Sequence, residues 1–344
     1  MKNIGYISAL LLSLCIASCS RENIAPLNLK VLGSNVLFTA DGGVGSIQVA
    51  SSGKISAISD RDWCTVVSDE NIVTVTVTKN PGMEGRTAAV TISSDGAESV
   101  VPVTQEGCAI LYDASELGQN LPYEGGNVTV KLKCNALPQI DIPDEAKSWL
   151  SYRLNKSSGT LTFTLLPSVD DLPRGAAVTV SSGGRSIVYH IGSYEREDVA
   201  GSWNLSVVNT YGKTQSNIAQ VVPDAKDKNL FRLKGLVSYG IDLPLTYKGG
   251  VLKAMAGIFL GVNGAYSIYS AVLTKNGLLN WNPICSYNAY PSSVDGKFAL
   301  VFGDSGTMEG DNINGIAYWA FKGTPSPANS VGYMELFYHL VLTK

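Results

Sequence analysis

Charge and histidine are scarce in this sequence of 344 residues: 16% of positions are charged and only two are histidine. A formal net charge of −3 leaves no basic excess to hold a phosphate backbone, which argues against nucleic acid as a partner. His190 and His339 cannot build a multi-histidine metal centre, and no His-Glu-x-x-His occurs, so neither a metal nor another cofactor is expected. Long hydrophobic runs are missing too. The apolar stretch from Ile4 to Ile16 is about thirteen residues, well short of the roughly twenty that cross a bilayer as a helix. Segments of helical period are nearly absent beyond it.

What the N-terminus does contain is a basic start (Met1-Lys2-Asn3), that apolar run, and the small residues Ala17-Ser18 before Cys19. This is the layout of a secretory signal, expected over residues 1–18. Ile16-Ala17-Ser18-Cys19 resembles the bacterial lipobox, whose cysteine thiol accepts a diacylglycerol and becomes the new N-terminus. The resemblance implies a lipoprotein acylated at Cys19, with the membrane as its partner and the outer membrane as its location. Two or three acyl chains, at about 0.8 kcal/mol per buried methylene, make such an anchor effectively permanent. Residues 19–33, polar and then broken by Pro26, are expected to be a tether. Periplasmic and surface orientations both stay open. Cys64, Cys108, Cys134 and Cys285 remain in the mature chain; their spacing matches no zinc pattern, pairing in an oxidising compartment stays open, and free buried thiols are the favoured expectation.

Period-two runs recur throughout, as in Ile72 to Val77, Ala88 to Ile92, Asn127 to Leu132 and Leu161 to Leu165. Rich in Val and Thr and bounded by Gly, Asn and Asp, they predict half-buried antiparallel strands and an all-β fold. Two copies of one pattern stand out. Asp41-Gly42-Gly43, Trp63 and Arg86-Thr87-Ala88-Ala89 recur as Glu124-Gly125-Gly126, Trp149 and Arg174-Gly175-Ala176-Ala177, at offsets of 83, 86 and 88 residues. A duplicated unit of this size with short strands suits a small Ig-like β-sandwich. Trp63 and Trp149 are expected to plug the space between the sheets, with sugar stacking as the weaker alternative.

The Gly-Gly turn, Ser59-Asp60-Arg61-Asp62-Trp63, Asn80, Arg86-Thr87-Ala88 and the closing Val103-Thr104-Gln105-Glu106-Gly107 resemble a BACON domain. The resemblance covers residues 34–107, and residues 108–195 form a divergent second copy that ends in Tyr189-His190-Ile191-Gly192 instead of Thr-Gln. It implies Ig-like sandwiches, common in lipoproteins of Bacteroidetes-type bacteria, with a proposed carbohydrate-binding role and no catalytic residues.

Beyond Asp198 the composition changes, with ten of sixteen tyrosines and three of five tryptophans. Alternation predicts strands over Trp203 to Val208, Leu230 to Tyr239, Leu243 to Tyr247, Tyr266 to Leu273, Phe298 to Phe302, Gly315 to Phe321 and Tyr333 to Leu342. Residues 196–344 therefore suit an antiparallel β-barrel, with a further sandwich as the alternative. Gly201-Ser202-Trp203 resembles the Gly-x-Trp of lipocalin-type barrels, although no arginine follows in the last strand to pack on that tryptophan. The barrel would either enclose a small apolar ligand or be filled by its own side chains.

Trp281, Tyr287 and Tyr290 fall in a segment rich in Asn and Pro and are the candidate ligand-binding residues, because loop aromatics can stack on sugars while hydrogen-bonding them. Rim or core packing is the competing role for the three. Gly303-Asp304-Ser305-Gly306 matches the nucleophile motif of trypsin-like proteases, but neither histidine has that family's context and Thr307 departs from the expected glycine; a turn explains it. Asp304, Glu309 and Asp311 fail the EF-hand spacing. No catalytic residue is assigned. The expected function is a non-catalytic lipoprotein that binds glycan, with the sandwiches as spacers. The alternative is a structural or protein-interaction role such as an adhesin.

Overall fold

A computed structural model of the chain describes residues 29–308 and 311–344. The signal segment, Cys19, the tether up to residue 28 and Glu309 lie outside the described residues. Strands make up the regular structure, joined by turns and single 3₁₀ turns.

In the first sandwich one sheet runs Leu29–Asn35, Gly43–Ser51, Ile72–Val77, Cys64–Asp69, and the other Leu37–Phe38, Ala97–Gln105, Arg86–Ser94, Ser56–Ser59. The second sandwich repeats this order. One sheet runs Ile110–Tyr112, Gly126–Cys134, Thr160–Leu165, Leu150–Asn155; the other runs Gly118–Leu121, Arg185–Ser193, Arg174–Ser182, Gln139–Asp141. The first strand begins inside the stretch expected to be tether, because Leu29 and Val31 alternate inward onto the core and the strand pairs with Gly43–Ser51. The paired glycines behave alike in both copies. Gly42 and Gly125 have φ of +76° and +72°, and a Cβ there would lie 2.2 Å from the Val77 carbonyl oxygen or 2.4 Å from that of Leu165. Only glycine fits such a turn.

The tryptophans sit differently from the expected plug. Trp63 and Trp149 are half-buried against the margin of their cores, each just ahead of a strand that starts with Cys64 or Leu150. A residue at a strand's entry meets the end of the sheet and not its middle. Their carbonyls accept from Thr78 N at 3.0 Å and Leu166 N at 2.9 Å. The core centres are instead Ile47 and Ile92 in the first copy, and Phe163 with Tyr189 in the second, ring centroids 5.7 Å apart. The four cysteines in the described residues are free; three are buried and Cys134 is partly so.

Eight antiparallel strands then close a barrel: Gly201–Val208, Thr214–Pro223, Leu230–Lys234, Leu243–Lys248, Val251–Met255, Ser286–Val294, Lys297–Asp304 and the end of Ser330–Thr343, which pairs back on the first. Leu205, Phe231, Leu245, Tyr287 and Leu342 belong to one continuous core inside it. Trp203 is buried and donates its indole N–H to the Val199 carbonyl at 3.0 Å. The Lys344 ammonium lies 4.8 Å from the Trp203 ring centroid.

The ring is more than an up-and-down barrel. Residues 256–285 leave it after Val251–Met255 and return at Ser286–Val294, and Ile313–Phe321 pairs outside it. These excursions build a side sheet in the order Phe259–Asn263, Tyr266–Thr274, Ile313–Phe321, start of Ser330–Thr343. The last strand passes from side sheet to barrel near His339, which holds a left-handed φ of +49°. One of the two histidines is thus a kink residue.

The second sandwich and barrel form one compact unit, which spans 39–41, 79–86 and 105–344; residues 29–38, 42–78 and 87–104 form another. Within the larger unit, a Cβ on Gly175 would lie 2.4 Å from Ser292 N, and one on Gly192 2.5 Å from the Pro291 Cβ. His190 stacks on Tyr290 at 4.9 Å with rings 10° from parallel.

Candidate functional site

The side sheet has one face on the barrel core and one face outward, because period two sends neighbours to opposite sides. Ile268, Val272, Ile316, Tyr318 and Phe337 go inward. Tyr269, Ala271, Ala317, Trp319 and Leu336 go outward. Register then places aromatic residues opposite one another: Phe259 faces Tyr269, Tyr269 faces Trp319, and Trp319 faces Tyr333. Four aromatics from four adjacent strands stand in a single row. With strands about 4.8 Å apart, the row is roughly 14 Å long.

Neighbouring rings touch at several points along it. Centroids are 5.3 Å apart for Phe259 and Tyr269 and 6.5 Å for Trp319 and Tyr333. Trp281 leans in from the loop after Leu279–Asn280, 6.2 Å from Trp319 and 5.7 Å from the buried Phe321. The Trp319 indole N–H donates to Ser330 Oγ at 2.8 Å, which holds its ring plane. Phe259 and Tyr333 are each 51% exposed and Trp281 39%. Leu278, Ile284 and Val331, close in sequence to Trp281 and Tyr333, are exposed as well. A row of touching, partly exposed aromatic rings marks an interaction surface more often than scattered single residues do.

Of the three residues picked from sequence, Trp281 lies in this face. Tyr287 and Tyr290 do not join it. Their segment, expected to be a turn-rich loop, is the barrel strand Ser286–Val294. Pro291 is tolerated because the neighbouring strand Val251–Met255 pairs only as far as Ala289, so Pro291 sits where one side of the strand is free. Tyr287 turns into the core, 5.5 Å from Phe302. Tyr290 turns the other way, against His190 and Gly118, and its hydroxyl donates to the Asp304 carbonyl at 2.7 Å. Both are buried, and burial raises the phenol of Tyr290 to about 12. Neither offers a ring to a passing sugar.

The residues that sequence reasoning missed are Phe259, Tyr269, Trp319 and Tyr333. Three of them lie in strands drawn from alternation alone, so their facing was legible; the pairing of residue 269 with 319 was not. Ser305 of the protease-like fragment is buried, its hydroxyl sharing a hydrogen bond with that of Thr307 at 2.7 Å. Among the described residues no group of three His, Cys, Asp or Glu side chains is placed to hold a metal.

Comparison with known proteins bears on the first sandwich. Residues 53–106 match the BACON family, described as "Putative binding domain, N-terminal". A BACON domain occupies that part of the chain. No curated protein sequence matches. Among solved structures, a chimeric titin Z1Z2 is similar at 5% identity and a TM-score of 0.32, over 48% of this chain and 95% of that one. The titin I-band fragment I67–I69 is similar at 12% identity and a TM-score of 0.26, over 78% and 94%. The endo-fucoidan hydrolase MfFcnA4 is similar at 10% identity and a TM-score of 0.22, over 69% and 40%. TM-scores below 0.5 lend nothing to the site.

Proposed function

We propose that this chain is a non-catalytic surface lipoprotein, anchored through Cys19, that binds glycan on the outward face of its side sheet. The observation that carries the reading is the in-register row Phe259, Tyr269, Trp319 and Tyr333, flanked by Trp281. Aromatic rings present an apolar face to the C–H side of a sugar, and Tyr and Trp add a polar tip for its hydroxyls. A row that crosses four strands meets several sugar units of a chain and holds its shape without ordering a loop, which keeps the entropic cost of binding low.

The test is a glycan array probed with the full mature chain carrying Cys19→Ser. Binding that disappears in Trp281→Ala and Tyr333→Ala supports the reading. Absence of all glycan binding, together with a single protein partner captured through the same face, would replace it with the adhesin-like alternative. Protease shaving of intact cells tests the location: cleavage of the chain on whole cells is expected, and full protection would place it inside the envelope.

A further inference from the structure

Between the second sandwich and the barrel lies a cavity of about 300 Å³, separate from the aromatic face. Its barrel wall comes from a cross-strand pair: Lys253 stands directly opposite Asn288. Tyr290 lies two residues further along the same strand and on the same face. The facing wall includes Gln119 and Gly118, where a Cβ would lie 2.4 Å from the Tyr290 ring.

The polar groups of this wall are ordered ahead of any ligand. Ser286 Oγ donates to Asn288 Oδ1 at 2.8 Å, Asn288 Nδ2 donates to the Tyr290 hydroxyl at 3.2 Å, and that hydroxyl donates to the Asp304 carbonyl at 2.7 Å. Ser286, Asn288 and Tyr290 are 3%, 6% and 4% exposed, so all three are more than nine-tenths buried. This chain fixes the amide the right way round: its oxygen is occupied by Ser286, while one of its two N–H groups is left over. Lys248 and Lys253 line the same cavity, no carboxylate among the described residues lines it, and neither lysine has an ion pair among them. Lys248 is exposed, whereas Lys253 is partly buried, and a partly buried cation normally finds a counter-charge.

We propose that this cavity is a binding site for the oxyanion, carboxylate or sulfate, of a monosaccharide-sized ligand. Lys253 and Lys248 supply the charge and the spare Asn288 N–H supplies direction. Charge-assisted hydrogen bonds from two ammonium groups and one amide suit an oxyanion, whereas a neutral sugar offers only hydroxyl acceptors and no counter-charge. The volume is at the small end of ligand pockets, which fits one sugar ring and not a chain. Burial, and then the neighbouring Lys248, hold the Lys253 ammonium below its usual range, a strain that an arriving anion relieves. The site is independent of the aromatic face.

Isothermal titration of the mature Cys19→Ser chain with glucuronate, glucose 6-sulfate and glucose tests it. The two anionic sugars are expected to bind and glucose is not; the stronger of the two identifies carboxylate or sulfate as the group preferred. Lys253→Gln is expected to weaken binding by roughly tenfold to a hundredfold, the loss of one charge-assisted bond, and Lys248→Gln by less. Trp281→Ala on the aromatic face leaves it unchanged. Near-UV circular dichroism of each variant confirms the fold. Failure of both anions to bind, or binding equal to that of glucose and untouched by Lys253→Gln in a folded variant, would overturn the proposal.

Discussion

The first and second sandwiches place matching strands in the same order, yet they differ at three aligned positions on one sheet. Thr87, Pro102 and Thr104 of the first copy stand where the second has Gly175, His190 and Gly192. The first three are exposed; Gly175 and Gly192 are buried against Pro291 and Ser292 of the barrel, and His190 lies on Tyr290. Removing two side chains lets a second backbone approach to contact distance, and a flat ring fills the space between. The two copies therefore share one topology and differ in what this sheet packs against. The second packs into the barrel unit and lines the cavity between them.

Truncation of each core is the largest expected way to break this contrast. Phe163→Ala in the second sandwich is expected to cost about 3–5 kcal/mol and Ile47→Ala in the first about 2–5 kcal/mol. Calorimetry should show that Phe163→Ala lowers the transition shared with the barrel, whereas Ile47→Ala moves only a separate one. A barrel transition indifferent to Phe163→Ala would mean that the second sandwich is as separate as the first.

Acid comes next. His190 has an enclosed Nδ1 without a partner, and burial pushes its pKa down to about 4 from an ordinary 6.5. The unfolded chain therefore takes up the proton first. Stability that depends on neutral His190 is complete above pH 6.5 and is lost as pH falls towards 4, roughly 3 kcal/mol in all. Denaturant midpoints of the barrel unit across that range should fall, and His190→Phe should flatten the slope. Because the aligned residue in the first sandwich is Pro102, which does not titrate, the first sandwich has no counterpart to this loss.

A smaller effect is expected from one methyl group. Gly192→Ala places its Cβ 2.5 Å from that of Pro291 and should cost about 1–3 kcal/mol, as overpacking does. Thr104→Ala at the aligned, exposed position should stay within about 0.5 kcal/mol. Equal costs at the two positions would remove docking as the reason for the glycine.

Much of this fold was legible in the order of residues. Alternation of Val and Thr placed the sandwich strands, and the Gly42-Gly43 and Gly125-Gly126 pairs marked the same turn twice. The docking surface was visible only as a departure: Tyr189-His190-Ile191-Gly192 breaks the family pattern at the point where the barrel packs. Its meaning needed the partner strand Ser286–Val294, whose Asn and Pro imitate a loop. The aromatic face was half legible. Alternation shows that Tyr269 and Trp319 each point away from the core, but only the pairing of two strands about 50 residues apart puts them side by side. Trp281 was found for its loop context and Tyr287 and Tyr290 were not separable from it, since composition cannot tell a ring on a surface from one inside a barrel wall.

Glycan binding by the row Phe259, Tyr269, Trp319 and Tyr333, with Trp281 beside it, is open to a direct assay. Affinity electrophoresis of the mature Cys19→Ser chain in gels containing xylan, mannan, β-glucan or starch tests it most directly. Retardation by at least one of these is expected, weakened by roughly tenfold or more in Trp281→Ala and Tyr333→Ala and unchanged in Trp63→Ala. Retardation that survives both side-sheet substitutions, or is absent with every polysaccharide, would contradict it.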